Sequence, residues 1–146
     1  MTNEELFIEA VNFVLSAEGY KSEDPDDAGG RTIFGISENS HPTQVKEMWD
    51  LPKEEARKKA IEIYRTEYWN KVVMVYSGGQ AFFMFDTCVN LGLGYIKKMM
   101  GMSLMEMIIE RVRDYADIAR SGSNIKFLRG WILRTVNCAD KAKLIK

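Results

Sequence analysis

The chain has little with which to build a metal centre or a membrane span. It holds one histidine (His41) and two distant cysteines (Cys88, Cys138), so no soft metal site with recognisable ligand spacing can be assembled. Both cysteines fall among apolar neighbours on expected helices, the setting of buried free thiols rather than of a disulfide. No apolar run approaches the roughly 18 residues that cross a bilayer. The opening Met1-Thr2-Asn3-Glu4-Glu5-Leu6-Phe7 is acidic, with apolar positions at helical spacing, and so lacks the basic start and solid apolar stretch of an export signal. There is no internal repeat, no low-complexity tract and no linker long enough to divide domains. The expectation is therefore one domain spanning 1–146.

What is present is an ordinary globular composition, 46% hydrophobic and 28% charged over 146 residues. The net charge of −1 is unevenly placed. Residues 1–50 carry three basic against eleven acidic side chains, a balance of −8. Residues 51–96 balance at +1 and residues 97–146 at +6. A basic last third can attract an anionic polymer, or it can be a solvated helix face that complements the acidic first third. No nucleic-acid reading motif accompanies it, so a nucleic-acid partner is not expected.

Periodicity gives a mostly helical chain. Thr2 and Glu5 form a capping-box pattern opening a helix to about Ala17. Gly29-Gly30 and then Arg31 to Ile36 read as a turn feeding a short strand, half of a small hairpin. Pro42 opens a brief helix to Trp49, and Pro52 fits the first position of a longer one to about Trp69. An apolar helix from Ala81 to Leu91 follows, ended by Gly92. A second capping box, Ser103 with Glu106, opens a helix to about Arg120, and a final helix carries Phe127, Leu128, Trp131 and Ile132. The expected class is α+β, predominantly helical, with a small β-hairpin next to the first helix.

The chemistry concentrates where the first helix runs out. Glu18 follows the apolar run Phe7, Ala10, Val11, Phe13, Val14, Leu15, Ala17, at the negative end of the helix dipole. Apolar surroundings and that dipole both favour a proton-bearing carboxyl, as general-acid cleavage of a glycosidic bond requires. Asp27 stands nine residues on and Thr32 five beyond it, across a turn rich in Gly, Pro and Asp. Folded back over a cleft, that turn would place an acid, a carboxylate and a hydroxyl around one space, the pair being able to hold a water. Acidic loops also merely cap helices and turns, and this one lacks the spacing of a calcium-binding hand.

These residues resemble the signature of glycoside hydrolase family 108, lysozyme-like N-acetylmuramidases of phage endolysins and bacterial secretion-associated proteins. The shared pattern is a helix ending in Glu, then Asp-Pro-x-Asp-x-Gly-Gly-x-Thr-x-x-Gly-Ile, met here by Glu18, Asp24, Pro25, Asp27, Gly29, Gly30, Thr32, Gly35 and Ile36. Further blocks are similar: Ala60 to Trp69 (the Tyr68-Trp69 ending), Phe85-Asp86 to Gly94 with Asn90, and Gly130-Trp131 to Arg134-Thr135-Val136. The resemblance implies a lysozyme-like fold and cleavage of the β-1,4 bond between N-acetylmuramic acid and N-acetylglucosamine in peptidoglycan. It implies Glu18 as the catalytic acid, Asp27 as the residue positioning water or stabilising an oxocarbenium-like state, and Thr32 as its assistant, with no cofactor. Tyr20 and Lys21 stand where the family has Gly and Tyr, which puts a ring beside the acid. Only Tyr95 to Ser103 occupies the place of a longer stretch read as a wall-binding module.

Further candidates carry two readings each. Asn90 can bind a sugar acetamido group or close its own helix end. Tyr20, Tyr64, Tyr68 and Trp69 can meet sugar rings, though aromatics at helical spacing also serve as core. Arg65 can meet a muramyl or peptide carboxylate, or pair with Glu62 or Glu67 on the surface. His41 reads as solvated, and Met99, Met100, Met102, Met105 and Met107 as core filler or a docking surface. The expectation is a phage-type wall hydrolase, made in the host cytoplasm, reaching the wall through a holin-like pore or carried in a virion. A non-catalytic wall-binding or virion protein of the same fold is the alternative.

Overall fold

The structure, a computed structural model, describes residues 1–23 and 30–146. Helix α1 (Asn3–Glu18) starts as its sequence dictates: the Thr2 hydroxyl accepts from the Glu5 amide and the Glu5 carboxylate accepts from the Thr2 amide. It ends at Gly19, whose φ of 72° stops the helix with Glu18 as its last residue. Leu6, Phe7, Ala10, Val11, Val14 and Leu15 are buried along its inner face.

A three-stranded antiparallel sheet follows, in the order β1 (Lys21–Ser22), β2 (Thr32–Ile33), β3 (Ile36–Ser37). The segment read as one strand is itself the hairpin. Thr32 pairs with Ser37 and Ile33 with Ile36, leaving Phe34 and Gly35 as a two-residue turn. Both have positive φ, 51° and 82°, the backbone of a type I′ turn that matches strand twist. Sequence periodicity cannot see a turn that contains a phenylalanine.

Helix α2 (Pro42–Trp49) begins on proline, as expected. His41 before it is not solvated: it is buried, with Nε2 3.3 Å from the Glu67 carboxylate. The helix after Pro52 is regular only as α3 (Lys53–Ile63). It then widens into a π-helical turn, Tyr64–Trp69, before α4 (Asn70–Val72). The wider turn resets the helix phase, so that Tyr64 and Trp69 are both buried.

Helix α5 (Gly78–Leu91) runs through the centre, with every residue from Ala81 to Cys88 buried. Its start is pressed against the end of α8: a Cβ on Gly79 would lie 2.1 Å from the Ala142 carbonyl oxygen. The short α6 (Tyr95–Lys98), α7 (Leu104–Ile118, opened by the Ser103–Glu106 capping box) and a 3-10 turn (Gly122–Phe127) lead into α8 (Leu128–Ala142). Helices α1, α7 and α8 pack around α5. The methionine group divides: Met99 and Met107 join the core, while Met100 and Met105 are exposed. Cys88 and Cys138 are buried free thiols. The helix-dominated α+β expectation holds. Among the described residues, no helix is long and apolar enough to cross a membrane, and no group of His, Cys, Asp and Glu could hold a metal.

Candidate active site

A cleft of about 1330 Å³ lies between the hairpin side of the molecule and the α7–α8 side. Glu18, Thr32, Gly35, Ser37, Ser40 and Tyr68 line the first wall; Tyr115, Phe127, Trp131, Arg134 and Asn137 line the second, with Cys88 to Gly92 between. Glu18 reaches this space because α1 stops there, and the hairpin turn packs directly on its side chain. A Cβ on Gly35 would lie 2.6 Å from Glu18 Cγ and 2.5 Å from the Tyr64 hydroxyl oxygen, so only glycine fits. The turn is pinned from behind, with Tyr64 Oη donating to the Phe34 carbonyl at 2.7 Å.

The apolar corner expected around Glu18 is not what the structure shows. Its Oε1 accepts from Arg134 Nη1, brought in from α8. Arg134 also donates through Nε and Nη2 to Asp86 Oδ1, at 3.1 and 2.8 Å. Asp86 Oδ2 in turn accepts from Arg111 Nη2 at 2.7 Å, and Arg111 Nη1 donates to Thr87 Oγ1 at 3.2 Å. Burial works against the charge of Arg134, yet the Asp86 and Glu18 carboxylates outweigh it and raise its affinity for the proton. Arg111 follows the same pattern, burial opposed by Asp86. Burial pushes the Tyr64 phenol well up, and the facing Glu18 charge adds to it, so Tyr64 stays a neutral donor.

The expected site residues separate into two groups. Thr32, Asn90 and Tyr68 share the cleft with Glu18. Asn90 donates to the Asp86 carbonyl at 2.9 Å, one turn back on its own helix, and lines the cleft margin. Tyr68 is half-buried, its ring 5.8 Å from Tyr64 and 6.3 Å from His41. Asp27 lies outside the described residues.

Four candidates do not line this cleft, among them Tyr64, whose buried hydroxyl braces the hairpin turn. Trp69 is 1% exposed, packed between Phe7 and Phe85, and donates through Nε1 to Asn3 Oδ1 at 2.9 Å. Arg65 forks onto Glu4 at 2.8 and 2.7 Å and stacks over Phe7, away from the cleft, and its partner is neither Glu62 nor Glu67. Tyr20 stacks on Phe34 with centroids 5.0 Å apart, Lys21 and Lys53 over its ring, and takes no part in lining the cleft. The π-helical phase reset buries Trp69, and the turn below Tyr20 offers its ring an apolar partner. Neither effect can be read from local spacing.

Sequence reasoning assigned no role to Arg134, Asp86 or Arg111. One signal for Asp86 was available: a lone carboxylate inside Phe82 to Cys88 must be matched by a cation. Trp131 stacks with Tyr115 and Phe127, centroids 5.0 and 5.7 Å apart, and gives the second wall an apolar surface.

Comparison with known proteins bears on this geometry. The model of the family described as glycosyl hydrolase 108 matches residues 11–92, more than half the chain. The chain belongs to glycosyl hydrolase family 108. The family match covers Glu18, the hairpin, Thr32, Asp86 and Asn90, whereas Arg111 and Arg134 lie beyond it. The solved structure of Brucella abortus SagA is similar in fold, with a TM-score of 0.73 and 23% sequence identity over 97% of this chain and 95% of that one. No curated protein matches the chain. The fold is lysozyme-like, and the family is one of glycoside hydrolases.

Proposed function

We propose that the chain is a peptidoglycan hydrolase, an N-acetylmuramidase cleaving the β-1,4 bond between N-acetylmuramic acid and N-acetylglucosamine. The observation that carries this reading is the Glu18 carboxyl at the end of α1, opening into a cleft large enough for sugar residues with the Thr32 hydroxyl in the same wall. Family membership supports it. In this reading Glu18 protonates the departing sugar oxygen. Its Oε1 is taken by Arg134, which leaves Oε2 to carry the transferable proton. Arg134 fixes the rotamer of the acid, and Thr32, with the Asp27 that the resemblance adds, handles the water.

The protein would act in phage-type wall lysis, made in the host cytoplasm and reaching the wall through a holin-like pore or in a virion. A second reading, a non-catalytic wall-binding or virion protein, draws on one observation: the carboxylate is already engaged by a guanidinium. Purified protein added to suspended cell walls decides between them. The muramidase clears the suspension, its fragments carry N-acetylmuramic acid at the new reducing end, and Glu18→Gln lowers the rate by about 100-fold or more. A wild-type protein that binds walls without clearing them, or fragments ending in N-acetylglucosamine, would overturn the proposal.

A further inference from the structure

Two carboxylates and two guanidinia alternate from the cleft into the core in the order Glu18, Arg134, Asp86, Arg111. Side-chain exposure falls along that line, 24%, 12%, 1% and 0%. Burying such charges is costly, and well-packed apolar residues would join α5 to α7 and α8 at least as firmly. The charge network therefore has its use at the end that reaches solvent, which is Glu18.

The geometry says how it acts. Arg134 places two N–H groups on Asp86 Oδ1, at 3.1 and 2.8 Å. A guanidinium is planar and rigid, so fixing two of its donors fixes where the third points. Asp86 is itself held from behind by Arg111 at 2.7 Å, and Arg111 is anchored on the Thr87 hydroxyl. Asp86 thus aims the cation and also takes up part of its charge.

We infer that Asp86, anchored by Arg111, is a positioning residue of the Glu18 site: it directs Arg134 onto the Glu18 carboxylate and shares its positive charge. This deepens the reading of Glu18 as the acid and rests on it. The network is neutral, with two charges of each sign. Removing the charge of Asp86 leaves it positive, so the acid at its outer end gives up its proton more readily. Removing the charge of Arg111 leaves it negative, and the acid keeps its proton to higher pH. Tyr64 from the π-helical turn, Tyr115 from α7 and Cys138 from α8 also face these groups. Burial raises all three above their ordinary values, so they stay neutral and leave the signs unchanged.

The test uses the full chain with Asp86→Asn and Arg111→Met, folding checked by circular dichroism. For wall clearing, Asp86→Asn lowers kcat by roughly 10- to 100-fold with KM within about twofold, since misaiming the acid costs rate rather than binding. Activity of a general acid is lost as pH rises and its proton leaves, so the alkaline limb moves to lower pH in Asp86→Asn and to higher pH in Arg111→Met. Loss of packing alone cannot produce opposite shifts. The same titration is read without substrate from the Arg134 Nε–H resonance, whose shift follows protonation of its neighbour. Wall inactivity of the wild type would sink the hydrolase reading, while this resonance still reports on the charge sharing. Midpoints moving in opposite directions sustain the inference, and where only one variant folds its sign against wild type suffices. Unmoved midpoints, or two shifts of the same sign, overturn it.

Discussion

At the scale of single residues, the site is held by small steric facts. Gly35 sits at φ 82° with Glu18 Cγ and the Tyr64 hydroxyl where a side chain would go. Gly35→Ala is expected to cost about 1–2 kcal/mol from the left-handed backbone alone. It should also push Glu18 off its position, so the melting temperature falls and wall clearing falls further than stability explains. Trp69 gives the opposite pattern. Trp69→Phe loses the Asn3 hydrogen bond and indole packing, worth roughly 1–3 kcal/mol, yet leaves KM for wall unchanged because the ring never reaches the cleft. A raised KM in the folded variant would restore Trp69 to the site. Glu18 shows what a sequence carries at this scale. Its place at the end of an apolar helix follows from the apolar spacing and the glycine after it, but its neighbour is a guanidinium 116 residues away in the chain. No local pattern contains that.

At the scale of elements, the π-helical turn and the α6–α7 junction matter most. Tyr64–Trp69 swings its aromatics so that Tyr64 braces the hairpin, Tyr68 edges the cleft and Trp69 enters the core. A regular helix, which the spacing from Pro52 predicts, would have shared those roles differently. The stretch from Tyr95 to Ser103 ties α6 to α7: Asp114 accepts from Tyr95 Oη at 2.7 Å and pairs with Lys98 at 2.5 Å. Burial opposes the Asp114 charge, but these two donors prevail and hold its carboxyl below the usual range. A depressed folded value means the added stability is complete above the ordinary carboxylate range and is lost as pH falls through the folded one. Asp114→Asn should therefore lower stability by about 1 kcal/mol at neutral pH and by nothing in strong acid. Denaturant melts at the two pH values check this, and equal losses at both would refute it.

At the scale of the whole molecule, the uneven charge of the sequence acquires a meaning. The basic last third supplies Arg134 and Arg111, and the acidic first third supplies Glu18, so the two ends of the chain meet across α5. The thiols report on the same closure. Burial pushes Cys88 up to about 12, and burial together with the Asp86 charge raises Cys138. Native protein at neutral pH should resist thiol reagents and melt alike with and without reductant, whereas unfolded chain labels at both cysteines. Rapid native labelling would contradict the packing. The amino-acid order alone set the helical character, both capping boxes, the end of α1 and the place of Glu18 upon it, because each depends on residues within a few turns of one another. The lining of the cleft, the phase of Tyr68 and Trp69 and the Glu18–Arg134–Asp86–Arg111 line were decided only when α7 and α8 closed on α1 and α5. Those contacts join side chains far apart in the chain, and no periodicity records which of them will meet.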